Sequence, residues 1–212
     1  ILPGFIDTHV HAPQLDVIAS YGSELLDWLQ RYTFPAETAW ADPAVAAAGS
    51  ARFLDQLLAH GSTSALVFPT VHKASCSALF EAARQRGMRL IAGKCLMDRN
   101  APPALTDTLA SSERDSLELL ALLAAWQGQG RNHRLAYAHT VRFAPTSSEA
   151  QLRLAGELLA AHPDSYLQTH VAENRAEVEW VRQLFPADRS YLGVYERHGL
   201  LGPRSTLAHG IW

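Results

Sequence analysis

Two histidines, His9 and His11, stand one residue apart at the end of the apolar run GFIDTHVH, with Asp7 just before them. On an extended strand, positions i and i+2 project to one side. Two imidazoles on one face can share a metal ion at Zn–N distances of about 2.0–2.1 Å. A pair of loop histidines satisfied by water is the plainer alternative. The same kinds of residue recur at the ends of later apolar runs: Arg142-Phe143 closes LAYAHTVRF, His170 and Glu173 close SYLQTHVAE, and His209-Gly210 closes STLAHG. An imidazole followed three residues on by a carboxylate suits metal-assisted hydrolysis. There the carboxylate can carry a water's proton to the leaving group without binding the metal. Glu173 reads equally well as the first-turn acid of a helix, where it complements the dipole. His209 taken alone reads as a hydrogen-bonded core residue. Arg142-Phe143 sets a fork of donors beside an apolar face, which suits a flat heterocycle bearing a carbonyl; a salt-bridged strand end is its alternative.

The elements that must position these residues follow a rhythm of short apolar run, loop and striped helix. Strands are expected over 5–11, 63–70, 89–97, 135–143, 165–172 and 205–211. Asp42-Pro43 offers an N-cap and a first-turn proline for a helix running to His60-Gly61, with Phe53, Leu54, Leu57 and Leu58 on its apolar face. A helix over Ser77–Arg86 should stop at Gly87 in a left-handed C-cap. Leu117, Leu120 and Leu123 stripe a third helix, and Thr146 to Glu149 and Asn174 to Glu177 have the form of capping boxes. Apolar strands alternating with helices argue for a parallel sheet covered on both faces. The expected fold class is α/β, a (β/α)8 TIM-type barrel of which the chain supplies roughly the first six strand–helix units, with sites at the strand C-termini. A doubly wound sheet is the competitor, but its dinucleotide-binding form lacks the G-x-G-x-x-G it would need after the first strand.

Composition narrows the function further. The 212 residues are 48% hydrophobic and 18% charged, with formal net charge −3. That balance gives no basic stripe for nucleic acid, and no run of about 18 apolar residues is present to span a membrane. Cys76 and Cys95 read as core residues of a reducing, cytoplasmic compartment. His60, His133, His162 and His198 fall at helix ends or in polar loops, whereas His72 and His139 sit close enough to strands to remain open. Leu25 to Glu37, LLDWLQRYTFPAE, packs Trp28, Tyr32 and Phe34 together as either a lid or an ordinary helix before a proline turn.

PGFIDTHVHAPQ, LLDWLQRYTFPAE, VRFAP, THVAEN and LAHG, in this order, resemble the guanine deaminases of the amidohydrolase superfamily, from Pro3 to Trp212. The resemblance implies a metal held by His9, His11, His170 and His209, one Zn2+ per active site, with Fe2+ a possible substitute. It makes Glu173 the proton shuttle, and Gln14, Arg142 and Phe143 the contacts to a purine. It implies hydrolytic deamination of guanine to xanthine and ammonia by a homodimeric enzyme. It also implies a further aspartate ligand on an eighth strand and a small β-sandwich from flanking segments, so residues 1–212 are expected to be an incomplete, inactive hydrolase barrel that begins and stops inside a longer chain. A related amidohydrolase acting on another aminated heterocycle or a cyclic amide, and a non-catalytic metal-binding domain, are the alternatives.

Overall fold

A computed structural model describes residues 1–22, 24–130 and 134–212, so His133 lies outside the described residues. The expected runs become β1 (Phe5–His11), β2 (Ser62–Phe68), β3 (Arg89–Ala92), β4 (Cys95–Leu96), β5 (Leu135–Val141), β6 (Tyr166–Val171) and β7 (Ser205–His209). Every pairing among them is parallel. The hydrogen-bonded order is β1-β2-β3-β5-β6-β7, with β4 on β5. Within each unit, parallel pairing places the C-terminal ends of its neighbouring strands on one edge, which is where the sequence put its histidines. Two details depart from expectation. The run 89–97 is broken at Gly93-Lys94: β3 pairs with β5 at Leu90 and Leu135, and β4 rejoins it at Cys95 and Thr140. At the break, Lys94 is fully buried and its ammonium donates to the Val71 carbonyl at 2.6 Å, a turn inward that a continuous ladder would not allow. In addition, β1 is not buried throughout. Phe5 and Ile6 are exposed, because this strand stands first in the order.

The chain forms two compact units, each with its own core. One comprises residues 1–94 and 115–137. Its core gathers Phe53 and Leu54 of α3 (Pro43–Ala59), Leu79 and Phe80 of α4 (Lys73–Arg86), Leu90 of β3, and Leu119 and Leu123 of α5 (Leu109–Gly128). Each fully buried Leu or Phe contributes about 1.5–3 kcal/mol. Asp42 caps α3 by accepting the Ala44 N–H at 2.8 Å, and α4 ends where Gly87 turns left-handed at φ 63°. Of the leucine stripe expected on α5, Leu123 is buried and Leu120 packs against the core, whereas Leu117 is exposed and Leu119 is buried in addition. The stretch Leu25 to Glu37 is helical, as α1 (Leu25–Trp28), a π turn over Leu29–Thr33 and α2 (Phe34–Ala39), with Leu29, Phe34 and Glu37 buried.

The second unit comprises residues 95–114 and 138–212. Val141, Leu152, Leu167, Val171, Val194 and Leu200 form its core. Its helices include α6 (Glu149–Ala161), α7 (Arg175–Leu184) and α8 (Tyr191–Arg197). The α6 cap is Ser148, which accepts the Gln151 N–H at 3.1 Å. Thr146, expected at that position, is instead in a 3-10 turn over Ala144–Thr146, and Glu149 is the first helical residue. At α7 the expected capping box of Asn174 and Glu177 is present. Cys76 and Cys95 are both buried.

Candidate active site

In the first unit, β1 delivers His9 and His11 to its C-terminal end. Their ring centroids lie 5.1 Å apart, edge to face, and both pack on Phe68, His11 stacked at 4.6 Å and His9 edge-on at 5.2 Å. The one-face reading of the H-x-H pattern therefore holds at the level of the side chains. Phe68 is the β2 partner of His11 in the ladder, so the strand register itself supplies the aromatic wall. The Asp7 carboxylate accepts the His9 N–H at 3.1 Å, which bends the strand where its register shifts. Gln14 is half-buried in a 3-10 turn over Ala12–Val17, directly after this pair.

The second unit brings together His170, Glu173, His209 and Arg142. Val171 pairs with His209 across β6 and β7, and the rings of His170 and His209 stack at 5.4 Å and 17°. One ring nitrogen of each lies within 4.8 Å of the other. His170 is buried, and its Nδ1 lies 2.6 Å from the Arg142 carbonyl oxygen. A carbonyl can only accept, so the proton sits on Nδ1 and Nε2 is the ring nitrogen that carries the lone pair a cation requires. Histidine ligands are commonly oriented in this way. That donor chemistry fits a transition metal or zinc.

Two unusual backbone turns shape the cluster. Ala172 has φ 50° and His209 has φ 76°, both in the left-handed region that costs a non-glycine residue energy. The surrounding hydrogen bonds hold them there. Gly210 N–H donates to the Val171 carbonyl at 2.8 Å, and the Ile211 and Trp212 N–H groups donate to the Ala172 carbonyl at 3.0 and 3.2 Å. The result sets Glu173 Oε2 3.4 Å from His209 Nε2. Burial raises the Glu173 carboxyl above its usual range, opposed by the Arg142 charge. Burial also lowers His209 from its ordinary value, opposed by Glu177. Phe143, expected against the plane of a substrate, is buried, and its ring meets Trp180 of α7 edge-on at 6.4 Å. His139 lies within β5, its basicity pushed down to about 4 by burial and then by His162. His72 precedes α4 and is half-buried.

Sequence reasoning missed a set of buried hydroxyls beneath this cluster. Glu177 accepts three donors: the Tyr191 hydroxyl at 2.6 Å and the N–H groups of Glu173 and Asn174 at 3.0 and 3.1 Å. Tyr195 donates to the His170 carbonyl at 2.7 Å and accepts the Ala144 N–H and the Thr169 hydroxyl, each at 3.0 Å. The i, i+4 spacing of the two tyrosines was the available signal, since it marks one helix face.

Residues 1–212 match the Amidohydrolase family, and the chain belongs to that family. It is 48% identical over 211 residues to the guanine deaminase of Escherichia coli strain K12, covering 100% of this chain and 47% of the relative. The solved E. coli guanine deaminase superposes with a TM-score of 0.94 at 47% identity, over 99% of this chain and 47% of that one. A guanine deaminase from C. acetobutylicum with guanine bound in its active site gives 0.89 at 30% identity, over 98% of this chain and 49% of that one. The chain thus spans about half the length of the curated relatives it matches. The α/β, TIM-type barrel class expected from the sequence is the class of these structures. No helix among the described residues is long and apolar enough to cross a membrane.

Proposed function

We propose that the protein carrying this chain is a metal-dependent aminohydrolase that converts guanine to xanthine and ammonia in the cytoplasm. His9, His11, His170 and His209 are the proposed metal ligands, with zinc the preferred ion. When bound, such an ion lowers the pKa of a coordinated water towards 7. Glu173 takes the water's proton and passes it to a ring nitrogen and the departing amino group of the purine. Burial raises its affinity for protons, the direction that favours a carboxylate accepting one from water. Arg142 and Gln14 orient the purine, and Phe143 walls its pocket. The single observation that carries this reading is the oriented imidazole of His170 beside His209 and Glu173, at the C-terminal ends of paired parallel strands. Its support on the substrate side is the identity to guanine deaminases along the whole chain. The test is xanthine formation from guanine by the full-length protein purified with its metal, and by its Glu173→Gln variant. Turnover that disappears with Glu173→Gln is expected. Bound metal without any guanine turnover would move the substrate to another aminated heterocycle or a cyclic amide.

A further inference from the structure

The proposed proton shuttle is held by its backbone, and one buried side chain does the holding. Glu173 follows Ala172, whose left-handed backbone swings the chain out of β6. On the carbonyl side this turn is fixed by the end of β7, through Gly210, Ile211 and Trp212. On the N–H side it is fixed by Glu177, through the Glu173 and Asn174 N–H groups, both on Oε2. The other oxygen, Oε1, takes the Tyr191 hydroxyl, and the Glu177 side chain is fully buried. A capping box requires only that Glu177 reach back to the Asn174 N–H. The additional bonds to Glu173 and Tyr191 exceed what starting α7 demands. Tyr195, one turn after Tyr191, holds the His170 carbonyl in the same manner. One face of α8 thus supports the His170 backbone directly, and the Glu173 backbone only through Glu177 of α7.

We infer that Glu177 is a positioning residue for the reaction, which sets the carboxylate of Glu173 at its 3.4 Å approach to His209 by gripping the Glu173 N–H. This inference rests on Glu173 being the shuttle. Glu177 touches neither substrate nor metal, so its removal should act on the rate of the chemical step and leave substrate affinity and metal content alone. Groups that orient a working side chain typically account for about 10–100-fold.

The experiment uses the full-length protein with guanine as the probe, and measures kcat, KM and metal content. Glu177→Ala should lower kcat by about 10–100-fold with KM and metal unchanged. Glu177→Gln should restore most of the rate, because its amide oxygen can accept the two N–H groups while its NH2 donates to the Tyr191 oxygen. If Glu177→Ala does not fold, Tyr191→Phe carries the test, because it removes one of the three donors and should lower kcat by a smaller factor, again without changing KM. Unchanged kcat in Glu177→Ala, or a loss that comes with altered KM or metal content, overturns the positioning role while leaving Glu173 as the shuttle. A Glu173→Gln protein with full turnover removes the shuttle itself, and the positioning role with it.

Discussion

The Nδ1 of His170 lies 2.6 Å from the backbone carbonyl oxygen of Arg142, so one residue contributes its main chain to an imidazole and its side chain to a separate task. The Arg142 guanidinium is buried, and its charge opposes the burial that raises Glu173. Main chain and side chain can therefore be separated by substitution. Arg142→Met keeps the carbonyl and most of the packing volume but removes every side-chain donor. A lost hydrogen bond from a charged group costs about 1.5–3 kcal/mol, which corresponds to about 10–100-fold in kcat/KM. The expected outcome in the full-length protein is that loss for guanine, with metal content equal to wild type by elemental analysis. Loss of metal together with activity would assign Arg142 to the ligand scaffold instead of the substrate.

Gly156 makes a second prediction, about packing within the unit that holds Glu173. It lies inside α6, where replacing glycine by alanine ordinarily gains about 0.5–1 kcal/mol. Here a Cβ would fall 2.0 Å from the carbonyl oxygen of His198, at the end of α8. That residue cannot easily withdraw, because its ring is bonded to the Val194 carbonyl at 2.7 Å and to Glu149 at 3.1 Å. Gly156→Ala should therefore destabilise by about 1–3 kcal/mol. Gly128→Ala, at the end of α5 with nothing within 4 Å of its added Cβ, should not. Denaturant midpoints of the two variants compare them directly, and shifts of the same sign and size would contradict the close approach.

What could be read from sequence and what could not divide along a physical line. Signals that act within a few residues were legible: the Asp42 cap, the left-handed Gly87, the Asn174–Glu177 box and the shared face of His9 and His11. The clustering of His170, Glu173 and His209 was legible as a shared position at strand ends, with a turn near Ala172 needed because alternation alone puts His170 and Glu173 on opposite faces. The left-handed Ala172 resolves that conflict, and no residue type announced it. Thr146 lost the α6 cap to Ser148 because the Asp98 carboxylate accepts the Ser148 N–H at 2.6 Å and its hydroxyl as well, an interaction fifty residues distant in sequence. Glu177 was read as a cap and no more, because its other partner, Tyr191, comes from the next helix. Broken pairing at Gly93-Lys94 likewise depends on Val71, twenty-three residues earlier.

The last prediction concerns acid. Arg197 grips Glu149 with two bonds of 2.6 and 2.7 Å and Asp188 with two more of 2.8 and 2.7 Å, tying α8 to the start of α6 and to the loop before α8. The hydrogen bonds from Arg197 hold the Glu149 carboxyl at about 2, against a smaller opposing effect of burial. An unfolded glutamate titrates near 4.3. Below that value the unfolded chain binds a proton that folded Glu149 refuses, so the contribution is fully present above about pH 4.3 and is lost as pH falls through about 2. Both side chains are close to half exposed, at 41% and 46%, and solvent screening limits the contribution to about 0.5–1 kcal/mol. Glu149→Gln should accordingly be less stable than wild type by about that amount near neutral pH, with the gap closing as the pH approaches 2. Urea midpoints of the two proteins along a pH series measure it. A gap that stays constant across the acidic range would mean that Glu149 stabilises by packing or capping, and not through its charge.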